Sequence, residues 1–225
     1  MAGKQVPTRL RSPRRAPSEV NALILRAARD LFIAQGYHGT KTRQIAEKAG
    51  VGESVVFRHF GSKAELFEAT ILIPFSRFVT EWARAWERRP ASTDPIAIAR
   101  SFVRGFLEVA EEHRELLRTL LAAQVQGGDT ALAEVAVTFS QHFADELVVM
   151  RRVLLQQGTA RHYEHLDPPV TVAVASGAVL SLVLMDSWLF APDERRPSRA
   201  RQIEELTQLL VFGISARPGS SSSKE

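Results

Sequence analysis

The sequence predicts an all-α protein of about nine helices, with an N-terminal three-helix head built on a helix-turn-helix and a larger helical body behind it. Three observations carry that prediction. Apolar residues recur three and four apart through most of the chain, which gathers them on one face of successive helices. No run alternates apolar and polar residues as a half-buried strand would, and no internal repeat occurs. Glycine and proline cluster between the periodic stretches, where helices must end.

With 225 residues and 45% hydrophobic content the chain can bury a substantial core as one domain or two small ones. It has no cysteine, so disulfides, thiolate metal sites and a cysteine nucleophile are excluded, and a cytoplasmic setting is expected. No apolar leader opens the N-terminus, so no secretory signal is expected. The charge is unevenly spread. Residues 1–63 hold twelve Lys/Arg against four acids, a net of +8, which leaves −4 for the remainder of a chain whose net charge is +4. A basic head on an acidic body is the electrostatic footprint of nucleic-acid binding.

Residues 1–17 carry five basic side chains, three prolines and no acid, a composition that cannot fold alone. They are expected to form a disordered tail, which is either a solvated leader or an arm that reaches DNA phosphates. The head spans residues 18–63. Ser18 is positioned to cap its first helix, whose stripe is Val20, Leu23, Ile24, Ala27, Ala28 and Leu31 and whose end is Gly36. Two short helical patterns then flank Ala49-Gly50-Val51, a turn that fits two helices crossing steeply. Ile45 and Ala49 face inward on the first of them. Gly50 suits the left-handed conformation that ends a helix. Val51 and Val56 plug the crossing, so Glu53, Ser54, Phe57 and Arg58 point outward.

Thr42 at the start of the motif is a candidate N-cap whose hydroxyl could also reach a phosphate, with Lys41 and Arg43 beside it. Arg58 can pair bidentately with guanine, and His59 follows it. Glu53 suits a helix N-terminus but opposes phosphates, unless it accepts from a cytosine amino group or orients Arg58. Ser62-Lys63-Ala64-Glu65 has the form of a capping box. Lys63 puts a cation where the helix dipole disfavours one, which makes sense if a phosphate binds there.

The body is assigned to residues 64–216, as an effector-binding and dimerisation domain. Its first helix is expected from Lys63 to about Arg89, with Phe67, Ile71, Phe78, Trp82 and Trp86 on one face and Pro74 kinking or splitting it. Helices follow from Asp94-Pro95, with Phe102 and Phe106 inward, and from His113 to Gln124. After Gly127-Gly128-Asp129 a long pattern runs from Thr130 to Gln157, with Phe139, Phe143 and Met150 on its stripe. Val170 to Phe190 is nearly all apolar, but Asp186 and four hydroxyl residues within it favour a covered core helix over a membrane span. Ala173, Gly177 and Ser181 form a small-residue ridge on it. The last helix, Ser198 to Ser215, has more apolar surface than one neighbour needs, which suggests a partner subunit. Residues 217–225 are a Gly/Ser-rich tail, expected to be disordered.

No nucleophile elbow, H-E-x-x-H, phosphate loop or Glu-x-x-His pair is present, so no enzyme activity and no cofactor are expected. His162 and His165, with Glu164 and Asp167, have a metal-ligand spacing but no rigid scaffold, and no metal site is assigned to them. His113 reads as an ordinary helix-terminus residue.

The runs DLFIAQGYHGT (Asp30 to Thr40), TRQIAEKAGV (Thr42 to Val51) and FRHFGSKAELF (Phe57 to Phe67) occur in the order in which the TetR (tetracycline-repressor-like) family carries its motifs, and between about Ala22 and Phe67 the chain resembles that family. The resemblance implies that the motif's second helix enters the major groove of operator DNA, that Thr42 and Lys63 hold phosphates, that the protein is a homodimer, and that the body holds a ligand pocket. Gly52, Val55 and Phe57 stand where the family usually has Ser, Thr and Tyr, so three hydroxyls are missing. Val55 can instead meet a thymine methyl. The DNA-binding set is therefore Lys41, Thr42, Arg43, Gly52, Glu53, Ser54, Val55, Phe57, Arg58, His59 and Lys63.

Pocket candidates are the aromatic residues Phe78, Trp82, Trp86, Phe102, Phe106, Phe139 and Phe143, with Met150 and with Asp186 as a polar anchor. Dimerisation is assigned to the last two helices, Val170 to Phe190 and Ser198 to Ser215. The expected function is a repressor that a small, mainly hydrophobic effector releases from its operator by population shift, with the Pro74 region as hinge. A helical carrier or enzyme, or a nonspecific DNA-binding protein, are the alternatives.

Overall fold

The structure, a computed structural model, describes residues 16–90, 93–126, 130–160 and 166–215. Among these residues there are ten helices and no strand: α1 Pro17–Gly39, α2 Thr42–Ala49, α3 Glu53–Phe60, α4 Lys63–Glu87, α5 Pro95–Glu112, α6 Arg114–Gln126, α7 Thr130–Ala160, α8 Pro168–Leu184, α9 Asp186–Leu189 and α10 Arg199–Ser215. The chain divides into two compact units, Met1–Lys63 and Ala64–Glu225. The N-terminal tail through residue 15, the Gly127-Gly128-Asp129 break, His162, Glu164 and His165, and the C-terminal tail lie outside the described residues.

In the first unit α1 starts one residue before the expected cap. Pro17 takes the first helical turn, where its missing N–H is no loss, and Ala16 occupies the cap without a side-chain bond. Ser18 is therefore inside the helix. Ile24, Ala27, Ala28 and Phe32 are buried, while Val20, Leu23 and Leu31 are half-buried. Regular helix ends at Gly36, whose φ of 70° only glycine adopts readily, and one more turn carries the chain to Gly39. Thr40 is buried there, its hydroxyl 2.7 Å from the Gly36 carbonyl and 3.1 Å from that of Leu31, donating its one proton into that pair.

In the second unit α4 runs unbroken through Pro74. The proline removes the N–H that the Thr70 carbonyl would accept but does not split the helix. Phe67, Ile71, Phe75, Val79 and Ala83 form its buried stripe. Two polar ties join α4 to α7: Glu68 with His142 Nδ1 at 2.5 Å, and the Ser76 hydroxyl donating to Glu146. Asp94 caps α5 by accepting from the Ile96 N–H at 2.9 Å, and Pro95 follows at the first helical position. α5 packs on α8 and α10, and α7 on α6 and α8. Arg100 grips Glu204 of α10 through Nε and Nη2, at 3.1 and 2.9 Å. His113 caps the end of α5, buried, with Nδ1 at 2.8 Å from the Val109 carbonyl.

An aromatic chain forms the centre of the body. Phe143 stacks on Phe75 at 4.5 Å, and Phe75 meets Phe106 at 5.1 Å. Phe106 stacks on Phe78 at 6.0 Å, and Phe139 lies 5.7 Å from Phe143. Gly105 permits this arrangement: a Cβ built there would stand 2.5 Å from the Phe78 ring.

The expected helix Val170 to Phe190 is two helices, which brings the number to ten. α8 begins at Pro168, behind an Asp167 cap that accepts from the Val170 N–H at 3.0 Å, and it ends at Leu184. Met185 leaves the helical conformation and α9 restarts at Asp186. Arg118 of α6 holds the break open by donating to the Leu184 carbonyl at 3.2 Å and to Asp186 Oδ1 at 3.0 Å. α8 is covered on one side only. Val172, Ala175, Val179 and Val183 are buried, whereas Val170, Ala173, Val174 and Gly177 are exposed. No described helix is long and apolar enough to cross a membrane.

Candidate nucleic-acid interface and ligand cavity

In the first unit the turn between α2 and α3 is made by Gly50 at φ 65°, ψ 39°. The Gly50 N–H bonds to the Glu47 carbonyl at 3.2 Å and the Val51 N–H to the Ala46 carbonyl at 3.0 Å. This paired closure satisfies carbonyls that a helix end leaves free. Val56 and Phe60 are the buried face of α3, and Ile45, Ala46 and Ala49 that of α2. Lys48 ties α2 to α1 through Asp30 at 2.8 Å, and this hydrogen bond holds the Asp30 carboxyl below the usual carboxylate range.

None of the eleven candidate DNA-binding residues is buried. Lys41, Arg43, Gly52, Ser54, Phe57 and Arg58 are exposed, and Thr42, Glu53, Val55, His59 and Lys63 are half-exposed. Along α3, Ser54, Phe57 and Arg58 therefore lie opposite Val56 and Phe60. Arg58 pairs with no carboxylate among the described residues.

Three local roles differ from expectation. Lys41, not Thr42, is the N-cap of α2, and its backbone N–H donates to the Gln44 side chain at 3.0 Å. Thr42 is the first helical residue, and its hydroxyl donates to Glu53 Oε1 at 2.6 Å. Glu53 thus links the starts of α2 and α3, a pairing eleven residues apart that helical periodicity does not reveal. Lys63 Nζ lies 4.4 Å above the centre of the Tyr37 ring, so a cation–π contact offsets the unfavourable placement of this cation at a helix start.

The second unit holds a cavity of about 110 Å³ between α4, α5, α7, α8 and α10. Trp82, Trp86, Phe102 and Met150 line it, four of the nine pocket candidates. Phe78, Phe106, Phe139 and Phe143 do not line it and belong to the aromatic core beside it. Apart from Thr171 of α8, the rest of the wall is small and aliphatic, and includes Ile98 and Ala99 of α5, Leu154 and Gly158 of α7, Val172 and Ala175 of α8, and Leu210 and Val211 of α10. Ala99, Gly158 and Ala175 leave space because their side chains are short. Met150, Leu154 and Gly158 recur every four residues, which marks one face of α7 but does not distinguish a cavity wall from solid core.

Asp186 is not a pocket anchor. It lies in a cluster of guanidinium groups, bonded to Arg118 and to Arg196 and 3.8 Å from Arg114. The Arg196 hydrogen bond, with the charge of Arg114, holds its carboxyl below the usual range against the opposing effect of burial. Among the described residues no group of His, Asp and Glu has the geometry to hold a metal ion.

Fold and site together define a helix-turn-helix protein with a separate all-helical, cavity-bearing body. Residues 24–70 match the family model for bacterial regulatory proteins of the tetR family. The chain is 47% identical over 201 residues to the uncharacterized HTH-type transcriptional regulator YvkB of Bacillus subtilis (strain 168), which covers 87% of this chain and 97% of YvkB. This chain belongs to the TetR family. It is also 30% identical over 128 residues to the HTH-type transcriptional regulator RutR of Escherichia coli (strain K12), where the match spans only 54% of this chain and 55% of RutR.

Among solved structures the same fold occurs in a TetR-family regulator from Mesorhizobium loti MAFF303099, with a TM-score of 0.66 at 21% identity over 90% of this chain and 98% of that one. It occurs again in the transcriptional regulator FadR from Bacillus subtilis in complex with stearoyl-CoA, with a TM-score of 0.60 at 14% identity over 85% and 98% of the two chains.

Proposed function

We propose that this protein is a homodimeric, ligand-responsive transcriptional repressor that a small, mainly hydrophobic molecule releases from its operator. The observation that carries the reading is the coexistence, in one TetR-family chain, of an uncovered polar and basic α3 face and an apolar cavity in the body. α3 enters the major groove, where Ser54, Val55 and Arg58 meet base edges, while Lys41, Arg43 and the N-terminus of α2 meet phosphates. Glu53 keeps its bond to Thr42 and braces the two helices. The cavity takes the effector, a reading supported by the stearoyl-CoA complex of a regulator with this fold. The protein acts by binding, and its mechanism is linkage: an effector that favours the DNA-free arrangement lowers operator affinity, and DNA lowers effector affinity by the same factor.

The dimer forms through the exposed apolar faces of α8 and α10, where Val170, Val174, Leu209 and Phe212 are each more than half exposed in the single chain. The test is selection of duplexes from random-sequence DNA with the full chain, followed by competition at fixed salt. An operator-specific repressor prefers its selected duplex over unrelated DNA by about a thousandfold or more. Equal affinity for both makes the protein a nonspecific binder and ends this reading.

A further inference from the structure

The cavity carries information about what fills it. Three of its lining side chains hold a buried polar atom without a hydrogen-bond partner among the described residues: Trp82 Nε1, Trp86 Nε1 and Thr171 Oγ1. Trp82 and Trp86 lie one turn apart on α4, with rings meeting edge to face at 4.7 Å, and Thr171 comes from α8. Buried polar atoms in folded proteins are nearly always paired, because leaving a donor unpaired forfeits its bond to water without replacement. Three such atoms around one otherwise apolar cavity are a specific departure from that rule. Indole N–H can only donate, and hydroxyl can do either, so the set calls for acceptors. No charged side chain lines the cavity among the described residues. Asp186 is bonded to its arginines and Glu146 to Ser76, and neither lines the cavity. An ammonium or an unpaired carboxylate there would lose its hydration without a counter-charge.

We infer that the effector is an uncharged, largely apolar molecule bearing one or more acceptor oxygens, of the ketone, ester, lactone or amide type, which accept from the indoles of Trp82 and Trp86 and from the Thr171 hydroxyl. This rests on the reading of the cavity as the effector site. The three atoms are closed off in this structure, so the acceptor reaches them as the side chains around it shift, and ligand binding is coupled to rearrangement of α4 against α8.

The test compares four probes on the full chain: octyl methyl ketone, its analogue with a methylidene group in place of the carbonyl oxygen, decanoate and decylammonium. The ketone and its methylidene analogue have the same shape, so their affinity ratio isolates the acceptor. The ketone is expected to bind about tenfold or more tighter than the analogue and than either ion. In a spectrum of the three tryptophan indole N–H groups the Trp82 and Trp86 signals move downfield with the ketone, while Trp188, 82% exposed on α9, stays in place. Trp82→Phe, Trp86→Phe and the isosteric Thr171→Val each reduce the ratio of ketone to analogue affinity, and the analogue's own affinity in the same variant is the reference that takes up any change in cavity shape or folding.

Equal binding of ketone and analogue, tighter binding of either ion, unmoved indole signals, or no binding of any probe up to its solubility overturns the inference. If the ketone binds with the indole shifts but leaves affinity for the selected duplex unchanged, the ligand class stands and the repressor-release reading falls.

Discussion

Asp186 shows how far one side chain's meaning depends on what surrounds it. In the sequence it is a lone acid in an apolar run, and a pocket anchor or a paired core charge fits equally. In the structure Arg114, Arg118 and Arg196 converge on it and keep it ionised. Its carboxyl titrates below the usual range in the folded protein, so its contribution to stability is complete above the ordinary carboxylate pKa of about 4 and is lost as pH falls through the lowered folded value. Asp30, held by Lys48, behaves the same way. Asp186→Asn is expected to lower the thermal midpoint at neutral pH by about 2–4 °C, a modest effect because the arginines are partly exposed. The gap between variant and parent should close below about pH 4. Thermal melts across that range check it, and a gap that persists in acid removes the charge account.

At the scale of elements, the contact of a ring from α4 with α5 depends on a residue with no side chain. Gly105 lies under the Phe78 ring, and an added Cβ would stand 2.5 Å from it. Phe78 is itself stacked on Phe106, so a retreat of the ring disturbs that contact. Gly105→Ala is therefore expected to destabilise by about 1–3 kcal/mol, although alanine is the better helix former by about 1 kcal/mol. Pairing it with Phe78→Leu should recover part of the loss, and denaturant unfolding of the two variants measures the coupling. A stabilised Gly105→Ala would mean that helix propensity outweighs packing here. The start of α2 is another element-level result. Thr42 and Glu53 come from different helices, so their bond exists only once the turn at Gly50 has brought α2 and α3 together.

At the scale of the whole molecule, the single chain leaves apolar surface uncovered on α8 and α10. Val174 is 61% exposed and Leu209 67%, and a Cβ added at Gly177 or Gly213 would meet nothing within 4 Å. The proposed dimer covers this surface. Val174→Arg and Leu209→Glu should each leave the chain folded, since neither side chain is buried, and weaken dimerisation by about tenfold or more. Sedimentation equilibrium reads the outcome. A dimer of undiminished affinity in both variants would place the interface elsewhere.

The sequence by itself determined the helical class, the helix-turn-helix with its glycine turn, and the inward and outward faces of α3, because local periodicity and backbone preference act over a few residues and need no distant partner. Ile45, Ala49, Gly50 and Val56 lie as the spacing requires. The tertiary structure decided what depends on residues far apart in the chain. It ended α8 at Leu184 by bringing Arg118 to the break, bonded Thr42 to Glu53, and placed Trp82, Trp86 and Phe102 at a cavity while Phe78, Phe106, Phe139 and Phe143, aromatic residues from the same helical stripes, became core. Core and cavity wall share one apolar pattern in sequence. Which of them a residue becomes is set by the size of the side chains opposite, here Ala99, Gly158 and Ala175, and those neighbours are chosen only when helices distant in the chain pack together.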